Sequence, residues 1–337
     1  MKVDGGIGAI ATAAETARSL EQAGYDGAWS AETSHDPFLP QVPAAQATER
    51  LELGTGIAVA FARNPMTLAN TAWDLQLASE GRFLLGLGSQ IKPHITRRYS
   101  MPWSKPAARM REFIGALHAI WDAWQHQTPL RFQGEHYRHT LMTPMFSPPA
   151  HDWGPPPVYL AAVGPLMTRL AGEVADGLLV HGFTTERYLR ERTLPALAEG
   201  LALSGRSREQ VAVTLPGLVV SGRTEEEMAR ASAAVKETIA FYGSTPAYRP
   251  VLELHGWESL ADELPALSVS RREDKWTAMR DLVDDEVLRT FAVVAEPEDV
   301  GRLVKERFSG AVDRFSVYAS YPAPLDLWDP LVRSFRA

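Results

Sequence analysis

The sequence predicts a (β/α)8 barrel with insertions. Three observations lead there: one helix-to-strand turn recurs along the chain, eight short apolar segments alternate with helical ones, and no Gly/Ser linker or composition break divides the 337 residues. The whole chain, 1–337, is read as one barrel domain.

Met1 to Asp4 supplies the first strand. Glu15 to Gly24 has apolar residues at helical spacing, with Gly24 suited to a left-handed cap, and Tyr25-Asp26-Gly27 then turns into the second strand, Ala28 to Ala31. Leu53 to Ala60 is the third strand, and Leu68 to Gly81 is a second helix feeding the fourth, Arg82 to Gly88. A helix over Pro106 to Gln125 has Phe113, Leu117 and Ile120 at helical spacing, so Trp103, Trp121 and Trp124 around it read as core packing. Val158 to Ala162 is the fifth strand, and Leu166 to Ala175 leads through Asp176-Gly177 into Leu178 to Val180, the sixth. Val211 to Val220 is the seventh, and Val300 to Phe308 leads through Gly310 and Asp313 into Phe315 to Tyr318, the eighth.

Short continuous apolar strands separated by helices belong to a parallel sheet buried on both faces, and eight such units close a barrel better than they fill an open sheet. A barrel needs about 250 residues. The excess falls in Thr128 to Pro157, rich in Pro, His and aromatics and read as an irregular or hairpin excursion, and in Gly243 to Asp285, read as a helical interruption of the seventh unit.

Composition narrows the function. With 45% hydrophobic and 22% charged residues the chain is globular, and a formal charge of −7 argues against nucleic acid or an anionic membrane as partner. Zero cysteines remove disulfides, thiolate nucleophiles and Cys-based metal sites, so redox chemistry would need a borrowed organic cofactor or a His/carboxylate metal site. The N-terminus has no apolar stretch resembling a signal peptide or span, so a cytoplasmic protein is expected.

Barrel chemistry sits where strands end and loops begin. After strand two, Glu32 and His35 lie in Glu32-Thr33-Ser34-His35-Asp36-Pro37 as titratable candidates, the alternative for His35 being a plain surface histidine. Gly54 and Gly56 in strand three mark a bulge or a close approach of backbone to ligand. After strand four, Ser89 and Gln90 precede Lys92, His94, Arg97 and Arg98, which suit an anionic ligand arm or simply a solvated loop. Ala162-Val163-Gly164 before a helix and His181-Gly182 after strand six offer free N–H groups for a phosphate, or plain turn chemistry. Glu135, His136 and His139 read as exposed loop residues, and no metal is expected. Gly6-Ile7-Gly8-Ala9-Ile10-Ala11 fits the GxGxxA of an NAD(P)-dependent Rossmann dehydrogenase, but the preceding strand carries charges where a central buried strand would be apolar.

Ala23 to Trp29 with Glu32, Leu53 to Ile57, Asn64-Pro65 with Leu68-Ala69, Gly81 to Gly88, Arg109 to Glu112, and Val158 to Ala162 with Gly164-Pro165 and Ala175 to Gly177, in that order, resemble the luciferase-like monooxygenase superfamily, and within it the coenzyme F420-dependent oxidoreductases. The resemblance covers nearly the whole chain. It implies a luciferase-like (β/α)8 barrel and a homodimer, with a cofactor in the barrel mouth against a non-proline cis peptide at Gly56-Ile57. It further implies a histidine beside the ring, matching His35, and a cofactor phosphate held by Ala162, Val163, Gly164, His181 and Gly182. Ser89 and Gln90 complete the candidate cofactor contacts. Where the sugar-phosphate dehydrogenase members carry an acidic residue after strand four, this chain has Gln90-Ile91, so that activity does not transfer, and proton transfer falls to His35, to Glu32 or to a substrate group. The expected function is F420-dependent hydride transfer to or from an organic substrate. The alternatives are an FMN-dependent monooxygenase on the same barrel and a non-catalytic flavin-binding protein.

Overall fold

The computed structural model describes residues 1–336. Eight strands close the barrel, with the short pairs Ala58–Val59 and Val293–Val294 added to the same sheet: β1 (Lys2–Gly6), β2 (Gly27–Ser30), β3 (Glu52–Thr55), β4 (Phe83–Gly88), β5 (Val158–Ala162), β6 (Gly177–Val180), β7 (Ala212–Val220) and β8 (Arg314–Tyr318). Each pairs in parallel with the next, and β8 returns to β1 from Lys2↔Arg314 to Asp4↔Ser316, which closes the barrel. Closure removes the Rossmann reading: Gly6 ends β1 and Gly8 follows it, in a barrel rather than an open sheet.

The helices are α1 (Ala13–Ala23), α2 (Gln41–Ala47), α3 (Pro65–Ala78), α4 (Pro106–Gln125), α5 (Pro165–Val174), α6 (Leu194–Ser204), α7 (Glu225–Gly243), α8 (Glu258–Ser268), α9 (Lys275–Asp281), α10 (Asp285–Phe291), α11 (Pro297–Phe308) and α12 (Asp329–Arg336), with shorter turns between them. Local chemistry sets their ends. Gly24 takes φ 90° to cap α1, and Asn64 accepts the Met66 N–H at 2.8 Å ahead of Pro65 in the first turn of α3. Trp73, Trp121 and Trp124 are fully buried between the helices, as core packing requires.

The charges of β1 point into the barrel. Asp4 is 1% exposed and accepts from Arg314 Nη2 at 2.7 Å, Arg314 Nε at 2.8 Å and Trp29 Nε1 at 2.9 Å. Arg314 also pairs with Glu52, which binds Lys2 at 2.7 Å. Burial opposes the Arg314 charge, but Asp4 and Glu52 outweigh it and hold the guanidinium above its ordinary value. Beside this plug lie Trp29 and Tyr159, ring centroids 5.6 Å apart, clustered with Leu84, Leu179 and Ile57.

Strand three, expected over Leu53 to Ala60 with its glycines marking a bulge or close approach, stops at Thr55. The Gly56–Ile57 peptide bond is cis, and pairing resumes only at Ala58–Val59 beside Leu87–Gly88. Gly54 is not a bulge: a Cβ there would sit 2.4 Å from the Trp29 ring, so its absence makes room for the tryptophan.

Both insertions have the expected character. In the first, Phe132–Gln133 and Arg138–His139 form a small hairpin, pinned by Glu112 of α4, which accepts the N–H groups of Glu135, His136 and Tyr137. The second is helical, and a second apolar cluster that includes Phe183, Val235, Ile239, Leu252, Leu264 and Phe291 fixes it over the C-terminal end of β7. Among the described residues no helix is long and apolar enough to cross a membrane.

Candidate active site

The loop after β2 is built to be rigid. Ser30 Oγ donates to the Pro37 carbonyl at 2.5 Å, and buried Gln41 donates to Ser30 Oγ at 2.6 Å and to the Gly54 carbonyl at 2.8 Å. Asp36 accepts the N–H groups of Phe38 and Leu39. On this frame His35 is exposed, with no hydrogen-bond partner for its ring among the described residues.

Glu32 differs. Its side chain is 8% exposed, and its carboxylate accepts from Arg63 Nη1 at 2.6 Å, the Val59 N–H at 2.7 Å and the Tyr99 hydroxyl at 2.8 Å. Its own N–H donates to the Ile57 carbonyl at 3.2 Å. Burial and the bond to Glu32 push the Tyr99 phenol above its usual range, so it remains a donor. Glu32 therefore braces the loops after β2, β3 and β4, and of the two proton-transfer candidates only His35 stands free.

Ile57 lies against Gly88, where a Cβ would meet the isoleucine side chain at 2.4 Å. Gln90 adopts φ 58°, its Oε1 accepts the Ile91 N–H at 2.9 Å, and its carbonyl accepts the Ser89 hydroxyl at 3.1 Å. The cations beyond are divided. Arg98 donates to the Thr33 carbonyl at 2.7 Å and lies over the Tyr99 ring, while Lys92 and Arg97 are exposed and in no ion pair among the described residues.

After β5, Ala162 is buried and Val163 exposed, and Gly164 caps α5 with no side chain to satisfy the first turn. The N–H groups of Leu166 and Met167 have no backbone acceptor among the described residues. A Cβ at Gly8 or Gly164 would meet nothing within 4 Å, and one at Gly6 only the Trp29 carbonyl at 3.9 Å. Three open glycines thus border the mouth.

In the loop after β6, expected to offer N–H groups to a phosphate, the His181 side chain is engaged within the protein. His181 has both ring nitrogens engaged, Nδ1 with the Phe183 N–H at 3.0 Å and Nε2 with the Tyr248 hydroxyl at 3.0 Å. Burial lowers its pKa to about 4, so it brings no positive charge. Gly182 is buried because a Cβ would press on the Tyr318 ring and the Pro216 carbonyl. Of the expected phosphate residues, Val163 and Gly164 border open space, Ala162 is buried beside them, and His181 and Gly182 are packed.

The sequence reading had omitted Arg63, Tyr99, Tyr242, Tyr248 and Tyr318. Tyr242 and Tyr318 join hydroxyls at 2.8 Å, and Tyr248 stacks on His181 with centroids 4.5 Å apart. Glu135 and His136, weighed as ligands, do lie with Glu112 close enough for three ligand atoms to fall within 4.8 Å of one another, but Glu112 already accepts three backbone N–H groups.

The sequence profile of the family described as luciferase-like monooxygenase matches residues 2–314. A protein of Mycobacterium tuberculosis with no assigned activity is 54% identical over 315 residues, 93% of this chain and 92% of that one. Another from M. tuberculosis, named for coenzyme F420-dependent oxidoreductase activity, is 30% identical over 307 residues, 85% of this chain and 84% of its own length. The fold is shared with the coenzyme F420-dependent tetrahydromethanopterin reductase of Methanopyrus kandleri, at a TM-score of 0.79 and 22% identity over 99% of this chain and 98% of that one. With the closed barrel and the open mouth already described, these likenesses lead to one conclusion: the chain belongs to the luciferase-like monooxygenase family and is an oxidoreductase.

Proposed function

We propose that the enzyme is F420-dependent and transfers a hydride between the deazaflavin and an organic substrate held at the C-terminal face of the barrel. The observation that carries this reading is the open space left by Gly6, Gly8 and Gly164 after β1 and β5, at the same end of the barrel as Ile57, which packs on the apolar cluster of Trp29, Tyr159, Leu84 and Leu179. Open glycines beside an apolar surface fit a flat ring system.

The backbone at Gly56 and the side chain of Ile57 would hold the ring, and Ser89 and Gln90 would border it. Ala162, Val163 and Gly164, with the free N–H groups of Leu166 and Met167, would take the phosphate, since unsatisfied donors at a helix start favour an anion. Lys92 and Arg97 add positive charge at the rim. When bound, the cofactor supplies the hydride chemistry. The protein orients the reactants, excludes water from the apolar side of the mouth, and moves one proton at the unpartnered His35 imidazole.

An FMN-dependent monooxygenase is the second reading, because an apolar surface bordered by open glycines suits either tricyclic ring. The expected homodimer and a cytoplasmic small-molecule role belong to this proposal too. Expression in an F420-producing host and mass analysis of the co-purifying cofactor tests it. F420 in the purified enzyme is expected; FMN in its place would support the second reading.

A further inference from the structure

Tyr318 enters the barrel mouth from the end of β8. Side chains alternate along a strand, and Arg314 points inward to Asp4 while Phe315 points outward to stack on Phe308, so Tyr318, four residues beyond Arg314, faces inward. Its hydroxyl meets that of Tyr242 on α7 at 2.8 Å. His181 is the first residue after β6 and joins the same group of side chains. Its ring stacks on Tyr248 and sits edge-on to Tyr242, with centroids 4.8 Å apart.

The hydrogen bonds fix where the protons go. Because the Phe183 N–H donates to Nδ1, the neutral His181 ring carries its proton on Nε2, which donates to the Tyr248 oxygen at 3.0 Å. The Tyr248 proton is then left to donate elsewhere. Within the Tyr242–Tyr318 pair one hydroxyl donates to the other, and the second proton is likewise spare. None of the four side chains hydrogen-bonds or ion-pairs with a charged side chain among the described residues. Burial holds the Tyr248 and Tyr318 phenols high, so both keep their protons.

We infer that this wall selects an uncharged substrate with a hydrogen-bond-accepting oxygen, a ketone or enone on an apolar body, and anchors that oxygen through Tyr248 and the Tyr242–Tyr318 pair. The inference rests on the oxidoreductase reading above and names its substrate class. A carboxylate or phosphate entering here would lose its water and find no cation, whereas a neutral carbonyl sheds less solvation and gains two O–H donors. The rim agrees: Ile10, Leu39, Ile91 and Val163 are exposed on the loops after β1, β2, β4 and β5, around the same end of the barrel.

The test compares benzylideneacetone with cinnamate, which share one apolar body and differ in a methyl ketone against a carboxylate. Their affinities for the F420-loaded enzyme are measured by ligand-observed NMR, for the wild type and for Y248F and Y318F, whose rings are retained. The ketone is expected to bind about tenfold tighter than the acid, and each variant to weaken the ketone roughly 3- to 10-fold while leaving F420 affinity unchanged. Cinnamate binding as tightly as the ketone, or ketone affinity indifferent to both variants, overturns the inference while F420 binding stands. Failure of the wild type to take up F420 overturns the cofactor reading, and the inference with it.

Discussion

Glu32 and Arg63 meet at 2.6 Å across the loops that follow β2 and β3, and the same carboxylate takes the Val59 N–H and the Tyr99 hydroxyl. A residue that sequence reading ranks among the proton-transfer groups thus works as a brace for the mouth. Glu32→Ala leaves three donors without their acceptor and is expected to lower unfolding free energy by about 3 kcal/mol, with Glu32→Gln in between. Urea denaturation checks it; a loss within about 0.5 kcal/mol would match an ordinary surface residue and contradict the bracing role.

The Asp4–Arg314 pair predicts an asymmetry between single and double replacements. Arg314→Met alone strands the buried Asp4 carboxylate and is expected to cost about 3–5 kcal/mol, whereas the double variant Asp4→Leu, Arg314→Met recovers part of that loss. A double-mutant cycle by chemical denaturation decides, and strictly additive losses would contradict the pairing.

Gly164 offers a test of the proposed phosphate site that separates binding from folding. It has extended dihedrals, φ −106° and ψ 165°, and open space where a side chain would go, so Gly164→Leu is expected to leave stability within about 0.5 kcal/mol. Cofactor affinity, read by fluorescence quenching, is expected to fall at least about tenfold, or ~1.4 kcal/mol. Unchanged affinity would move the phosphate elsewhere.

His181 predicts a pH dependence. An unfolded histidine titrates near 6.5, and burial takes the folded ring to about 4, so between those values the unfolded chain binds more protons. Its contribution to stability is complete above about pH 6.5 and declines as pH falls toward 4. Because other histidines titrate too, the measurement is the melting-temperature difference between wild type and His181→Phe. That difference is expected to shift in favour of the variant on acidification; a difference independent of pH would contradict a neutral, buried His181.

Much of this was legible in the sequence, for local reasons. The helix over Pro106–Gln125 is found where its apolar spacing predicted it, and Gly24 caps α1 as its position after the periodic run required. The cis peptide at Gly56–Ile57 came from the family resemblance rather than from any local signal. The misread residues depend on direction and on distant partners. Period-2 alternation says that the side chains of Asp4 and its neighbours point to opposite faces, but not that the inward face meets Arg314, 310 residues away. Tyr248 lies 67 residues from His181 and Tyr318 lies 76 from Tyr242, so nothing near His181 in the sequence marked its aromatic partners. Glu32 likewise gains its brace from Arg63 and Tyr99, 31 and 67 residues on.

The most direct test of the central claim is a titration of purified apoprotein with F420 and, separately, with FMN, following the fluorescence of each cofactor. F420 affinity in the micromolar range or tighter, with FMN about tenfold weaker or more, is the predicted result. FMN binding the tighter of the two, or neither cofactor binding, would contradict it.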